Sequence, residues 1–420
     1  MNSRRSFLRN TGLGLTASAI TPLASVAVRT NDIAPSVKKG IVVKGIDLHV
    51  VKVNQRGNWY FVELKSSSGI SGFGECSHAF GKNQADGDLQ VRESLKAFFE
   101  LVKDESPFDV EKYRQRGFAK ADNKLKRTVF SGIEQALWDL GGKALGIPAY
   151  QFFGGKVRDE LRVYANINRA TNDRDSNGRR PVSSFQKNAE EAMKQGFTAF
   201  KLAPFDEMKP LYGSSEKQVE ADIAHAISCI EGVRTTIGTE RDLLIDVHSH
   251  LNVDLAVKTA ARIRSSDLYW FEEPVDPATM PAETREIRQS IRQTLAGGEA
   301  IFGRSGYANL IHDHALGIIM PDIKHCGGLL EARYIAAMAE TAGNIQVAPH
   351  NPSGPVATAA SVAVCATITN FSILEYAFGE VPWRNDLVTP GEQFAKGFLH
   401  VSDLPGIGII LNKKFINAHK

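Results

Sequence analysis

Six ionisable residues, Asp246, Glu272, Glu299, Asp322, His350 and Glu375, each stand at the end of a short apolar run and recur about every 25 residues. A buried run should stay apolar, so a carboxylate or imidazole closing each one marks chemistry rather than packing. Asp246, Glu272 and Glu299 come from three consecutive runs. Three anions meeting in one place repel one another unless a cation sits between them, and an all-oxygen donor set suits a hard divalent ion. Octahedral Mg²⁺ would bind these three and keep its other positions for water or substrate oxygens. Zinc would recruit His or Cys, and His248, two residues beyond Asp246 and on the same side by the alternation of a strand, keeps that ion open.

The elements that must position these groups are legible as a rhythm. Apolar runs at 163–166, 199–202, 243–246, 269–272, 294–297, 317–320, 345–348 and 371–374 alternate with longer helical patterns. Eight such runs, each followed by a helix candidate, predict an α/β fold of the (β/α) barrel kind, a modified TIM barrel of seven to eight units, spanning 159–380. An open doubly wound sheet seldom needs eight strands and carries its ligand at a switch point, whereas here polar residues end nearly every run. One β/α unit occupies roughly the interval between the six residues, so all of them project into one barrel mouth. Ahead of the barrel, alternating β-rich runs at 41–53 and 59–65 flank a turn at 54–58, and helical periodicity follows at 91–103 and 127–145. These predict an N-terminal α+β capping domain at 40–158, closed by Pro148 and the Phe153-Gly154-Gly155 turn. The last stretch, 381–420, breaks the β/α rhythm and is expected to return to the cap.

Residues 1–27 read as a twin-arginine export signal: Ser3-Arg4-Arg5-Ser6-Phe7-Leu8, an apolar stretch, then Ser25-Val26-Ala27 for cleavage. The apolar stretch at 11–20 is far shorter than the roughly 20 residues of a membrane span, so a periplasmic protein is expected, without a membrane anchor. Arg4, Arg5 and Arg9 of this leader account for the whole net charge of +3, and no basic run interleaved with aromatics remains to bind nucleic acid. With 43% hydrophobic residues in 420, a barrel-sized core can be buried. Cys76, Cys229, Cys326 and Cys365 lack metal or disulfide spacing and read as ordinary thiols.

Six segments, LLIDVHSH, YWFEEP, LAGGE, MPDIKHCGG, APHNPSGP and FSILEY, resemble in order and spacing the enolase superfamily, in its mandelate racemase-like branch. The resemblance runs from Gly40 to the C-terminus. It implies that Asp246, Glu272 and Glu299 ligate Mg²⁺, with Glu273 of the Glu-Glu-Pro motif standing behind them. It implies an Asp322–His350 dyad in which the imidazole is the base. Glu375 matches an electrophilic carboxyl, expected protonated so that it can donate to a substrate carboxylate. Lys201 matches the first lysine of a Lys-x-Lys pair and is expected at the substrate carboxylate. The second is replaced by Ala203, which disfavours a two-base racemase. The Asp246-Val247-His248 triplet resembles that of sugar-acid dehydratases, where the histidine protonates a departing hydroxyl.

The activity so implied is a lyase reaction: His350 removes the proton beside a sugar-acid carboxylate, His248 protonates the C3 hydroxyl, and a 2-keto-3-deoxy acid forms. A cycloisomerase or epimerase working through the same enediolate is the runner-up, and a non-catalytic sugar-acid binding protein is the rival of another class. In this group, loops of the first domain close over the barrel and set specificity. Arg56, Trp59, His78 and Lys82 are the candidates here, and His325 is either a polar contact near the metal or a packed core histidine. The stretch at 203–217 departs from the pattern, and the role of His250 stays open. A homo-oligomer is expected by the same resemblance.

Overall fold

In the computed structural model, which describes residues 40–54, 57–80, 87–343 and 345–419, the chain opens with an antiparallel sheet in the order β1 (Val43–Asn54), β2 (Gly57–Ser66), β3 (Ser71–Glu75). The export signal expected at 1–27 lies outside the described residues. Helices α1 (Gly87–Phe99), α2 (Val110–Gly117) and α3 (Lys124–Leu145) follow the sheet. The Asn123 side chain caps α3 by accepting from Lys126 N, and Gly146 ends it in the left-handed region. Val62, Leu64, Val91, Leu95, Phe130, Ile133 and Leu137 form the core of this domain.

The barrel is built from β4 (Glu160–Asn166), β5 (Ala199–Leu202), β6 (Asp242–Asp246), β7 (Leu268–Glu272), β8 (Leu295–Gly297), β9 (Ile318–Ile319), β10 (Gln346–Val347) and β11 (Leu374–Tyr376). Neighbouring strands are parallel from β4 to β10. The ring closes where β11 pairs with β4 and where Phe371 bridges Val347. The expected α/β barrel is therefore the architecture found. Helices α4 (Val182–Lys194), α5 (Glu216–Ile237), α6 (Val253–Arg262), α7 (Pro281–Ser290), α8 (Gly303–His312), α9 (Leu329–Thr341) and α10 (Pro355–Cys365) fill the seven intervals between strands. A helix after the eighth strand, which the sequence pattern led us to expect, is replaced by a single 3-10 turn at Arg384–Leu387. The last strand also sits later than its apolar run, because Leu374 takes the register opposite Val163 while Phe371 makes only the isolated bridge.

A second apolar cluster fills the barrel itself: Tyr164, Ala199, Leu244, Trp270, Ala296, Met320, Ala348 and Ile373. This layer explains the site. Moving two residues along from a strand position restores the same facing. From these plug residues that step gives Asn166, Lys201, Asp246, Glu272, Gly298, Asp322, His350 and Glu375. Six of the eight are ionisable, so the layer above the plug is where charge converges. Glu299 enters one residue late, after Gly298 turns through φ 104°.

Beyond the barrel, β12 (Val388–Thr389) pairs with β15 (Ile410–Leu411), and the hairpin of β13 (Phe394–Ala395) and β14 (Phe398–His400) adds antiparallel to β4. The short α11 (Lys413–Ala418) reaches the cap, where Lys413 Nζ lies 2.7 Å from Glu63 Oε1 and Lys52 N donates to His419 O. All four cysteines are buried free thiols. Among the described residues no helix is long and apolar enough to cross a membrane.

Candidate active site

One oxygen from each of Asp246, Glu272 and Glu299 lies within 4.8 Å of the others. Lys201 Nζ sits against the cluster, 3.0 Å from Glu272 Oε1 and 3.4 Å from both Asp246 Oδ2 and Glu375 Oε1. Burial, with Asp246 next in size, pushes the Glu272 carboxyl well above the usual range. Burial acts on Lys201 the other way, and Glu272 and Glu375 overcome it to hold the ammonium charged. The residues fit a divalent cation on their own chemistry. The donors are all carboxylate oxygens, their mutual repulsion is uncompensated by Lys201 alone, and Glu299 Oε2 is buried with no hydrogen-bond partner. His350 Nε2 approaches that oxygen at 3.0 Å, but outside hydrogen-bonding geometry. Glu273 stands behind, as expected: its Oε1 accepts from Gly298 N at 2.7 Å and so shapes the turn that presents Glu299. Asp47, His49 and Glu63 form the other group of metal-ligand type among the described residues, but Lys65, Lys413 and Ser71 already satisfy its carboxylates.

Across the mouth, His350 Nδ1 donates to Asp322 Oδ2 at 2.8 Å. Burial works against the Asp322 anion, and Lys324, His325 and His350 together hold it well below the usual carboxylate range. With Asp322 ionised, Nδ1 carries the proton and the Nε2 lone pair faces the carboxylate cluster. His248 lies on the other side. Its Nε2 is 2.9 Å from Asp246 Oδ2 and its Nδ1 is 2.5 Å from Asp206 Oδ1, with the backbone at φ 49°. Loss of solvation opposes charge on this imidazole, although 41% of its side chain stays exposed, and Asp246 and Asp206 overcome it. The strands that carry the two histidines, β6 and β10, are four apart in a ring of eight, so the imidazoles face each other across the cluster.

Residues 184–415 match the family described as enolase C-terminal domain-like, and residues 44–154 match the mandelate racemase/muconate lactonizing enzyme N-terminal domain. The chain belongs to the enolase superfamily. It is 30% identical over 382 residues to a D-xylonate dehydratase of Haloferax volcanii, covering 89% of this chain and 88% of the relative. A D-gluconate/D-galactonate dehydratase of Picrophilus torridus is 32% identical over 361 residues, covering 84% of this chain and 86% of the relative. Among solved structures, a mandelate racemase/muconate lactonizing enzyme from Jannaschia sp. superposes with a TM-score of 0.79 at 27% identity, over 90% of this chain and 97% of that one. The resemblance read from the motifs is thus borne out, as a member similar to sugar-acid dehydratases.

Within this enolase-superfamily site, Glu375 needs correction. A protonated carboxyl was expected, but Lys201 and His350, with hydrogen bonds from Asn351 N at 2.9 Å and Asn166 Nδ2 at 2.5 Å, surround it with positive charge and donors. Burial pushes the other way and is outweighed, so the group is held down at about 2, as a carboxylate. Trp59 is corrected as well. It lies inside β2, which begins at Gly57, with its ring buried edge-on against Trp383 at 6.0 Å, so it is a packing residue rather than a loop side chain. His78, in the left-handed region at φ 61°, lies near enough to Lys324 and Asp322 to feel their charge. Burial and the nearby Arg169 and Lys324 hold it neutral, and its Nδ1 is buried without a partner. His325 is buried, bonded through Nδ1 to Thr128 Oγ1 of the cap at 2.9 Å, with Nε2 3.8 Å from Asp322. Burial lowers the half-buried His250. Arg56 and Lys82 lie outside the described residues.

Sequence reasoning missed three residues of this enolase-superfamily mouth. Lys324 is wholly buried with Nζ 2.6 Å from Asp322 Oδ2 and 2.5 Å from Ser353 Oγ. The strand alternation that placed Asp322 also places Lys324, and that signal was available. Asn166, the polar end of the first barrel run, was equally readable. Asp206 was not, because it is delivered by the 203–217 stretch and held by Arg180 from a different loop, at 3.0 Å.

Proposed function

We propose that this enzyme is a Mg²⁺-dependent dehydratase of a sugar acid, abstracting the C2 proton and expelling the C3 hydroxyl. The observation that carries the reading is the pair of imidazoles opposed across one carboxylate cluster, His350 backed by Asp322 and His248 backed by Asp206. The names of the dehydratase relatives support the same substrate class, open-chain aldonic acids. A divalent ion bound by Asp246, Glu272 and Glu299 would supply positive charge against the enediolate that proton removal creates.

The chain's own residues do the rest. Lys201, held by Glu272 and Glu375, presents an ammonium to the substrate carboxylate and adds to the field that acidifies C2. His350 Nε2 takes the C2 proton, and the resulting imidazolium is steadied by the Asp322 carboxylate. His248 delivers a proton to the C3 hydroxyl, the C3–O bond breaks as the enediolate electrons move in, and water leaves. The enol then ketonises to the 2-keto-3-deoxy acid. Ala203 stands where a second base would be needed, which favours elimination over racemisation. The leader at 1–27 supports a periplasmic site of action.

Incubating the protein and Mg²⁺ with a panel of aldonic and uronic acids tests this reading. A 2-keto acid lighter than its substrate by one water is the expected product. A product of unchanged mass would replace dehydration by isomerisation, and no C2 exchange in D₂O with any acid would remove catalysis altogether.

A further inference from the structure

Five of the seven barrel helices begin without a side-chain cap of their own, and two of these meet a carboxylate of the capping domain at their first turn. Helix α9 starts after Gly328 and α10 after Gly354, and neither has a side-chain cap. The first N–H groups of a helix have no partner within it, and they are costly to bury unpaired. Here two carboxylates of the capping domain serve them. Glu134 on α3 accepts from Leu329 N at 2.7 Å and Leu330 N at 3.0 Å, and Glu75 at the end of β3 accepts from Gly354 N at 2.8 Å and Ala357 N at 2.9 Å. Both carboxylates are buried. The axial dipole favours an electronegative oxygen at a helix N-terminus in addition to these bonds.

The glycines are what let the carboxylates in. A Cβ at Gly328 would lie 2.0 Å from Glu134 Oε2, and one at Gly354 would lie 2.8 Å from Glu75 Oε2. Each of these junctions immediately follows a loop that carries the chemistry: Asp322, Lys324 and His325 precede α9, and His350 and Ser353 precede α10. The contact continues along one face of α3. Thr128 meets His325 Nδ1 at 2.9 Å, Ser131 Oγ accepts from Gly327 N at 3.1 Å, and Gln135 Oε1 accepts from Glu75 N at 3.1 Å.

We propose that Glu75 and Glu134 are positioning residues, through which the capping domain sets the geometry of the Asp322–His350 dyad as well as covering the mouth. The inference rests on the dehydratase reading for its kinetic arm only. A built-in comparison is available in Asp139, an equally buried carboxylate of α3 that accepts from Phe73 N and Ile407 N and so ties the cap to the C-terminal segment, away from both loops.

The experiment compares Glu134→Gln, Glu75→Gln and Asp139→Asn with the unmodified protein. Each carboxylate uses a different oxygen for each of its two N–H groups, and Gln replaces one of those oxygens with an NH₂ donor, so the two loops should shift while the domains stay folded. Amide exchange in peptides spanning 322–330 should quicken about 10-fold in Glu134→Gln, and in peptides spanning 350–357 to a similar degree in Glu75→Gln. Asp139→Asn should leave both peptides unchanged. The kcat for the keto acid should fall about 10-fold in each Glu variant with KM within about twofold, since a small misplacement of the base costs rate rather than binding. Gly354→Ala, which crowds the Glu75 carboxylate without deleting it, should reproduce the Glu75→Gln exchange change and guards against a variant that fails to fold. Unchanged exchange in the loop peptides, or kcat losses no larger than in Asp139→Asn, would overturn the proposal. If the unmodified protein makes no keto acid, the dehydratase reading fails, and the exchange comparison alone decides whether Glu75 and Glu134 position the two loops.

Discussion

Glu134 makes a pH dependence that can be worked out from its surroundings. Burial pushes its carboxyl from 4.5 up to about 7, against the pull of the Leu330, Trp138 and Leu329 donors and with Glu331 adding to the rise. A raised native pKa means that the folded chain keeps the proton where the unfolded chain has released it. The stability from Glu134 is therefore fully present below about pH 4.5 and is lost as the pH climbs through about 7. The interval of about 2.5 units, at roughly 1.4 kcal/mol each, amounts to about 3 kcal/mol. Guanidinium unfolding of the protein and of Glu134→Gln, measured at steps from about pH 4.5 to about pH 8, isolates this contribution. The unfolding free energy of the variant should gain on that of the unmodified protein by about 3 kcal/mol across the window and change little beyond it. Parallel profiles, or a gap that moves in the other direction, would show that Glu134 is ionised at ordinary cost and that the burial argument is wrong.

Three further outcomes follow from the mouth. His350→Asn should abolish C2 proton exchange in D₂O, with a loss of at least about 100-fold read by NMR. His248→Asn should stop keto-acid formation while exchange at C2 persists, because the base and its dyad partner are untouched. Asp206→Asn, which frees the His248 ring on its outer side, should slow dehydration by about 10- to 100-fold and leave C2 exchange within about threefold, measured as the ratio of the two rates in one sample.

The barrel was legible because a buried strand that ends on an ionisable residue breaks its own pattern, and six of the eight runs did so at a repeating interval. The same alternation carried the ligand and dyad positions from the apolar plug to the layer above it. It carries Lys324 to the same layer as well, whereas the side chain of His325 beside it turns to Thr128 of the cap. Asp206, Glu75 and Glu134 were beyond reach for another reason. Each acts on a segment far away in the chain, and no local periodicity encodes a partner so distant in sequence. The ionisation of Glu375 failed for a related cause: crowding by acids was visible, while the donors supplied by Asn166 and Asn351 N depend on the fold. The missing eighth helix reflects a segment that finds its partners in the cap and the outer edge of β4 rather than in the ring.

Asp246, Glu272 and Glu299 are proposed to share one hard cation. Calorimetric titration of Mg²⁺ into chelator-stripped protein, set beside Glu299→Gln, tests that sharing without reference to any substrate. One site per chain should appear in the unmodified protein and weaken by at least about 10-fold in the variant. Equal Mg²⁺ binding by both proteins, or none by either, would contradict it.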